Sequence, residues 1–180
     1  MSEEVVAREA LAALRPRLRR FALGLCGSMD DAEDLVQSAY ERALHRLHQW
    51  NPGTRLDSWM FRIVQSIWFN QVEARKVRQR HREREAAARE SALAGAEEPH
   101  EAHLTLQAVR RHLQHISEEQ RVVLLLVAVE GFSYQEAAEL LSVPVGTVTS
   151  RLGRARRALT ERLRQGMRPQ EEAPRSRART

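Results

Sequence analysis

The sequence is poor in cysteine and in long apolar runs, which disulfide-rich proteins, thiolate metal sites and membrane-spanning proteins need. Among its 180 residues there is one cysteine, Cys26, which excludes an internal disulfide and any metal cage made of several thiolates. The longest wholly apolar run is residues 122–129, far short of the ~20 residues that cross a bilayer. Acidic residues precede the first apolar stretch, so no secretory signal is predicted. We therefore expect a cytoplasmic protein without membrane insertion.

Proline and glycine, the residues that mark turns, are also scarce, with 6 Pro and 8 Gly in the chain. An architecture of short strands joined by many turns needs more of both. Hydrophobic residues make up 42% and charged residues 29%, a balance that supports folding and argues against a wholly disordered chain. We predict an all-α fold, made of two small helical domains joined by a flexible linker.

Positive charge is concentrated in two separated blocks. Lys76 is the only lysine, and the formal net charge is +5. Basic residues outnumber acidic ones by nine to five in residues 51–90 and by ten to five in residues 131–180, whereas the stretch before each block is slightly acidic. Two basic surfaces on one short chain indicate a polyanion contacted at two places, such as a nucleic acid. A solvated surface on an arginine-rich protein is the alternative.

The first domain is predicted over residues 1–84 and contains three helices. The second of these covers residues 31–50, where apolar side chains recur at i, i+3, i+4 and i+7 and leave the opposite face polar and available to a partner. Asp30, with Glu33 three residues later, is its predicted capping box. An earlier helix is predicted over about residues 5–25 and a later one over about residues 57–84.

The third helix combines an apolar stripe, further aromatic rings and a polar, basic side. Trp59, Ile63 and Ile67 form the predicted core stripe, and Phe61 and Trp68 lie on a neighbouring side. Rings beside polar and cationic groups suit unpaired nucleic-acid bases, because rings stack on bases while cations contact phosphates. The alternative is that these rings only form the core of a small domain. The polar side and its basic continuation carry Arg62, Ser66, Asn70, Arg75 and Lys76.

The composition changes after residue 84. Residues 85–103 are rich in alanine and mixed charge and lack a sustained apolar period, which predicts a linker. A second domain is predicted over residues 104–163, with the apolar run at residues 122–129 as its core. Residues 164–180 contain two prolines and several arginines but few large apolar side chains, which predicts a disordered tail.

The second domain has the pattern of a helix-turn-helix. Ser133 is placed to cap a short helix, residues 142–146 form a tight connection, and Pro144 suits the first turn of the next helix. A helix that crosses another at a short turn and presents hydroxyls and arginines suits the major groove of duplex DNA. A plain helical hairpin is the alternative. The outward side of this helix and its margin carry Thr147, Thr149, Ser150, Arg151 and Arg154.

Both halves of the chain resemble bacterial sigma factors. The second half resembles their C-terminal DNA-binding domain, and the first half resembles their N-terminal domain. With both domains present in the family's order, the chain resembles the extracytoplasmic-function (ECF) class of the sigma-70 family over about residues 8–163. The segments that carry the resemblance are residues 31–37 (DAEDLVQ), residues 52–54 (PGT), residues 132–138 (FSYQEAA) and residues 144–152 (PVGTVTSRL).

The resemblance implies a function and a set of partners. It implies that the chain binds core RNA polymerase, directs it to promoters and is a monomer when free, with an anti-sigma factor as a restraining partner. The sequence shows no glycine-rich phosphate loop, nucleophile motif or pair of catalytic carboxylates, so no enzymatic activity, cofactor or metal is predicted. The helix that matches residues 31–50 then docks on the largest polymerase subunit, and its matching contacts are Asp31, Asp34, Leu35, Gln37 and Glu41.

The resemblance also divides promoter recognition between the two domains. The helix from Pro144 reads the duplex −35 element through Thr147, Thr149, Ser150, Arg151 and Arg154. The loop at residues 51–57 and the third helix engage the single-stranded −10 element, where a base is flipped. The residues that match this second role are Arg55, Arg62, Ser66, Asn70, Arg75 and Lys76.

Some features depart from this family pattern. Many relatives carry an acidic residue at the position of Ser38, so we expect part of the usual polymerase contact to be weaker. Many also carry a basic residue at the position of Thr149, and several carry a large residue at Gly153, so the −35 base preference is left open. An autonomous helix-turn-helix regulator that binds duplex DNA without polymerase is the rival function. It leaves the basic, aromatic third helix unexplained, and a purely sequestering protein leaves both basic blocks unexplained.

The histidine pairs at 100/103 and 112/115 lack nearby cysteines, so no metal site is predicted.

Overall fold

The computed structural model of the chain describes residues 3–51, 53–86 and 106–166. All regular secondary structure within these residues is helical, which confirms the predicted all-α fold. A single turn of 3-10 helix (Leu47–Gln49) and a π-helical turn (Leu125–Val129) accompany the α-helices. The α-helices are α1 (Glu3–Cys26), α2 (Met29–His45), α3 (Leu56–Ala86), α4 (Leu106–Gln114), α5 (Glu118–Leu124), α6 (Tyr134–Leu141) and α7 (Val145–Gly166).

The N-terminal half is a bundle in which α1, α2 and α3 all contact one another. The apolar side chains at its centre, among them Leu18, Leu35 and Met60, have no exposed surface. The start of α2 differs from the prediction, because Ser28 rather than Asp30 is the N-cap and its hydroxyl accepts a hydrogen bond from the Asp31 amide (3.4 Å). Gly27 lies between α1 and α2 with φ +78°, a conformation that costs glycine little.

The C-terminal half contains the predicted helix-turn-helix. Ser133 caps α6 in a reciprocal capping box with Glu136, and Ser142, at φ +54°, ends that helix in the left-handed conformation. In α7, Val148 and Leu152 are buried against the other helices of this half, as their spacing predicts. The outward side of α7 is thereby presented away from this core.

The two halves pack against each other, and their buried side chains form one continuous cluster. Phe61 of α3 makes edge-to-face contacts with Phe21 of α1 at 5.1 Å and with Phe132, after the π-helical turn, at 5.2 Å between ring centroids. At Gly24 the helices approach so closely that a Cβ atom would lie 2.6 Å from Leu125 Cδ2. The helix-turn-helix is therefore held directly over α1 and α3.

The aromatic rings of α3 are mostly core. Phe61 and Trp68 are buried, so the interpretation that these two rings stack on unpaired bases is wrong. Both rings are needed to fill the space between α1, α3 and the C-terminal half, which extends the predicted core stripe around a second side of the helix. Trp59 and Phe69 are half-buried at the edge of the same cluster.

Several predictions fall where the structure gives no description. The predicted linker (residues 85–103) and tail (residues 164–180) lie largely in residues 87–105 and 167–180, outside the described residues, as do His100 and His103. Across the described ranges, every helix is either too short or too polar to cross a lipid bilayer.

Candidate polymerase and nucleic-acid interfaces

The polar face of α2 is the candidate surface for polymerase. Asp31, Asp34, Gln37 and Glu41 are all exposed along this helix, as the sequence predicts for a face open to a partner. The Gln37 side chain donates a hydrogen bond to Glu41 Oε1 (3.1 Å), which links successive turns of the face. The face is therefore acidic and exposed.

Leu35 requires a correction. It is expected among the polymerase contacts, but its side chain is 0% exposed and packs in the core of the N-terminal half. A fully buried side chain has no surface to offer a partner, so Leu35 positions α2 and does not contact polymerase. Its place in the apolar repeat of α2, beside Ala32, Val36 and Ala39, is the signal that identifies it as core.

The turn before α3 is fixed by its own side chains. Asn51 Oδ1 accepts from the Gly53 amide (3.0 Å), and the Asn51 carbonyl accepts from both the amide and the hydroxyl of Thr54 (2.8 Å each). Arg55 follows directly and donates to both carboxylate oxygens of Asp57 (3.0 and 2.8 Å). This turn is a preformed loop at the exposed N-terminal end of α3.

Asp57 links this loop to α1. The hydrogen bonds from Arg55 lower the pKa of Asp57 to about 2, against the opposing effect of burial, and Arg17 Nη1 adds a hydrogen bond at 3.2 Å. The Asp57 carboxylate is therefore ionised throughout the physiological range and holds Arg55 and Arg17 together at the start of α3.

The polar side of α3 is exposed, and one of its side chains bonds to the C-terminal half. Arg62, Ser66 and Asn70 are exposed at i, i+4 and i+8, so they lie on one side as predicted. Arg62 Nη2 donates a hydrogen bond to the Glu139 carbonyl of α6 (2.8 Å). One candidate DNA-contacting side chain, Arg62, is therefore hydrogen-bonded to the other half of the protein.

The two basic residues further along α3 pair with acids. Arg75 Nη2 lies 3.8 Å from Asp31 Oδ1, and Lys76 Nζ lies 3.4 Å from carboxylate oxygens of both Glu73 and Glu118. Such exposed pairs are weak, about 0–1 kcal/mol, so both side chains remain available to phosphate.

The outward side of α7 presents hydroxyls and exposed arginines. Thr149 and Ser150 are exposed, and their hydroxyls donate hydrogen bonds to the carbonyls of Val145 and Thr147 (3.1 Å each), which leaves the lone pairs of each oxygen free to accept. Arg154 is exposed, and Thr147 is half-buried. These four side chains lie where a major groove would meet the helix.

Arg151 lies differently from the other candidate readers. It is half-buried and lines a crevice of about 210 Å³ together with Gln65 and Phe69 of α3. The remaining lining residues are Glu119, Val122 and Leu141. In this arrangement Arg151 faces the N-terminal half.

The sequence analysis missed a group of charged residues that join the two halves. Glu130 accepts hydrogen bonds from Arg20 through both carboxylate oxygens (2.9 and 3.0 Å) and from Arg17 Nε (3.3 Å). These partners are separated by more than 100 positions, so no local pattern connects them. The available signal is a lone acidic residue, Glu130, that directly follows a wholly apolar run.

Arg121 is a second residue that the sequence analysis missed. Its guanidinium is buried and donates to the carbonyls of Leu25 (2.6 Å), Gln114 (2.9 Å) and Ile116 (3.1 Å) and to Gln114 Oε1 (2.6 Å). It also lies over the Trp68 ring, 5.6 Å from its centroid. Burial lowers the pKa of Arg121, because desolvating the charge is costly, and the four hydrogen bonds offset part of that cost.

The described residues favour neither a reactive thiol nor a metal site. Burial, followed by the nearby Asp31 carboxylate, raises the pKa of the Cys26 thiol to about 11, so little reactive thiolate exists at neutral pH. Among the described residues no group of three or more histidine, cysteine, aspartate or glutamate side chains is arranged to hold a metal ion.

Family models match both halves of the chain. The model for Sigma-70 region 2 matches residues 11–80, which include α2, the turn before α3 and most of α3. The model for Sigma-70, region 4 matches residues 106–159, which include the helix-turn-helix.

Individual relatives extend over most of the sequence. The chain is 37% identical to the ECF RNA polymerase sigma factor EcfG of Rhodopseudomonas palustris (strain TIE-1) over 154 residues, covering 85% of this chain and 82% of that protein. It is 34% identical to the ECF RNA polymerase sigma factor SigE of Mycolicibacterium smegmatis over 156 residues, covering 82% of this chain and 57% of that protein.

A solved structure shows the same fold. The sigma factor RpoE from Bartonella quintana, crystallised with the anti-sigma factor NepR, matches with a TM-score of 0.68 and 32% identity, covering 87% of this chain and 96% of that one. The sequence relatives, the family models and this fold agree. The chain therefore belongs to the ECF class of the sigma-70 family of RNA polymerase sigma factors.

Proposed function

We propose that the chain binds core RNA polymerase and directs it to promoters, where it recognises one element as duplex and favours the opening of another. The observation that carries the proposal is the presence of both sigma-70 regions in one chain, with the helix-turn-helix of the second region formed. The 37% identity with a named ECF sigma factor supports the same function. The chain does no covalent chemistry in this role, and it acts in the cytoplasm.

Polymerase binding is assigned to the acidic face of α2. Asp31, Asp34, Gln37 and Glu41 offer carboxylates and an amide on a helix whose other face is fully packed, so a partner meets a rigid surface. A complementary basic surface on the polymerase would be steered toward it by charge.

Recognition of the −35 element is assigned to α7. Arg154 can donate to guanine O6 and N7, while the outward oxygens of Thr149 and Ser150 can accept from base amino groups. Thr147 lies in the first turn of the helix, where such a helix meets base edges, and Arg151 joins them once it is released from the α3 side.

Recognition of the melted −10 element is assigned to the turn before α3 and to the polar side of that helix. Arg62, Ser66 and Asn70 line one side of α3, and Arg55 adds a cation at its start. Arg75 and Lys76 extend the same helix with cations for the phosphate backbone. Binding an unpaired strand more tightly than the duplex shifts the equilibrium toward opening.

The two recognitions depend on polymerase as a common scaffold. We propose an N-terminal domain (residues 1–84), a linker (residues 85–103), a C-terminal domain (residues 104–163) and a tail (residues 164–180). When polymerase holds both domains at promoter spacing, the second contact becomes intramolecular and its effective concentration rises. An anti-sigma factor, as in the Bartonella quintana complex, is the proposed restraining partner of the otherwise monomeric protein.

The test is transcription reconstituted from purified parts. Core RNA polymerase alone and core with the purified full chain are given fragmented genomic DNA from the source bacterium, and transcript start sites are mapped. The proposal expects discrete start sites that require the chain. Start sites that are identical with and without the chain would refute it, and tight binding of a symmetric duplex without polymerase would favour the rival regulator.

A further inference from the structure

The second histidine pair of the sequence lies in a cluster of basic side chains. Arg111 and His112 are in the last turn of α4, and His115 follows directly after that helix. α7 packs against α4, and its Arg162 is close enough for its charge to act on His112. We call Arg111, His112, His115 and Arg162 the α4–α7 cation cluster. Its members come from two helices of the C-terminal half.

The acidic residues of the neighbouring helices have other partners or lie elsewhere. α4 contains no acidic residue, and Glu161, the only one in α7, accepts a hydrogen bond from Gln165 (2.9 Å). At the start of α5, Glu118 pairs with Lys76, and Glu119 lines the crevice beside α3. Within the part of the chain that the structure describes, no member of the α4–α7 cation cluster forms an ion pair with an acidic side chain.

Like charges brought together in this way repel one another. Burial, followed by the charges of Arg111, His115 and Arg162, lowers the pKa of His112. The negative end of the α4 dipole offsets part of the repulsion among the residues of its last turn. It does not account for Arg162, which comes from another helix. An anion placed beside the cluster would therefore stabilise all four side chains.

The cluster is remote from the end of α7 that is proposed to read DNA. From Thr147 to Arg162 the helix rises about 22 Å at ~1.5 Å per residue, and Arg154, the last proposed reader, is still about 12 Å from Arg162 along the axis. The major groove is only about 8.5 Å deep. A duplex that is read by the first turns of α7 therefore does not supply the anion.

The side chains favour a protein partner over a nucleic-acid strand. Surfaces that bind single strands combine cations with aromatic rings on which bases stack. Neither α4 nor α7 contains an aromatic residue. The cluster is also compact, with three cations at the end of α4 and one on α7. It matches a few neighbouring carboxylates better than it matches an extended phosphate backbone.

We propose that the α4–α7 cation cluster binds an acidic segment of a partner protein, one that presents two or more neighbouring aspartate or glutamate side chains. The guanidiniums of Arg111 and Arg162 donate to the carboxylates, and the imidazoles of His112 and His115 add charge-assisted hydrogen bonds when they are protonated. Because the cluster is remote from the reading end of α7, the acidic segment binds without entering the proposed −35 contact. This surface goes beyond the proposed function, which assigns polymerase to α2 and DNA to α3 and α7.

The test measures binding of a fluorescein-labelled octaglutamate peptide to the full chain by fluorescence anisotropy, at low salt and at about pH 6.5, near the ordinary pKa of histidine. Arg111→Gln combined with Arg162→Gln removes two charges from the cluster. The matched control is Arg78→Gln combined with Arg80→Gln, which removes the same charge from exposed arginines of α3. A labelled strand of eight thymidine nucleotides is the second probe and represents nucleic acid.

The cluster variant should bind octaglutamate about fivefold or more weakly, because two ion pairs are lost, and the control should change by less than about twofold. Saturating peptide should raise the pKa of His112 in the wild type, measured by NMR, since nearby carboxylates favour the imidazolium. Equal weakening in both variants would show attraction by net charge alone and overturn the proposal, as would an unchanged His112 pKa. A loss of strand binding as large as the loss of peptide binding would assign the cluster to nucleic acid and overturn it too.

A second variant guards against misfolding of the first. Arg111→Gln combined with His115→Gln changes two exposed side chains, whereas Arg162 is half-buried. If circular dichroism shows that the first variant unfolds, the second must weaken peptide binding more than the control does; otherwise the proposal fails. The peptide measurement needs neither polymerase nor promoter, so its failure and a failure of reconstituted transcription are distinguishable.

Discussion

Replacing Arg121 tests the packing of the two halves most severely. The guanidinium is 6% exposed and serves four acceptor atoms, three of them backbone carbonyls, and the Leu25 carbonyl belongs to the opposite half. Arg121→Met keeps the aliphatic stem but leaves those carbonyls without a donor. Each unpaired buried carbonyl costs about 1–3 kcal/mol.

The expected loss of stability is the cost of the unpaired carbonyls minus the free energy gained by no longer burying a charge. Removing the buried charge recovers part of its desolvation cost, so the net destabilisation should be about 3 kcal/mol, a large part of the ~5–15 kcal/mol that stabilises a typical protein. Urea unfolding followed by circular dichroism measures it. With a slope of about 2 kcal/mol per molar, the midpoint should fall by about 1.5 M.

Arg111→Met is the control for this measurement, because Arg111 is exposed on α4. Its midpoint should stay within about 0.3 M of the wild type, corresponding to ~0.5 kcal/mol. A loss below about 1 kcal/mol for Arg121→Met would refute the reasoning that buried hydrogen bonds to this guanidinium join the halves.

Three further predictions concern the proposed DNA contacts and the ion pair of Asp57. Arg154→Ala should weaken binding to a duplex −35 element by about 1–3 kcal/mol in a holoenzyme gel shift, and unchanged occupancy would count against its assignment. Asn70→Ala should leave that duplex binding intact and reduce promoter opening; equal loss of both would indicate unfolding. Because the pKa of Asp57 is lowered to about 2, its stabilisation is present above pH 4 and lost as the pH falls toward 2. After allowance for solvent screening, Asp57→Asn should lose about 1 kcal/mol at pH 7 and flatten acid unfolding in that range.

Local regularities made most of the helices and the helix-turn-helix predictable from sequence. The apolar repeat of α2 and the cap at Ser133 each depend on residues only a few positions apart in the sequence. Both are present in the structure. The start of α2 was missed because Ser28 and Asp30 are both good capping residues and only the backbone conformation at Ser28 decides between them.

The contacts between the halves were not predictable in the same way. Glu130 meets Arg20 across 110 positions, and neither residue carries a periodic signal. Phe61 and Trp68 were ambiguous because an aromatic ring suits a core and a base equally well, and only the position of the C-terminal half fills the space around them. Long-range packing, which sequence periodicity does not encode, decided these cases.

Permanganate footprinting tests the central claim most directly, because permanganate oxidises thymines only where the strands are unpaired. A promoter found by start-site mapping is probed with the chain alone, with core polymerase alone and with both. The account predicts reactive thymines upstream of the start site only when both are present. Duplex protection by the chain alone, with no reactive thymine when polymerase is added, would contradict it.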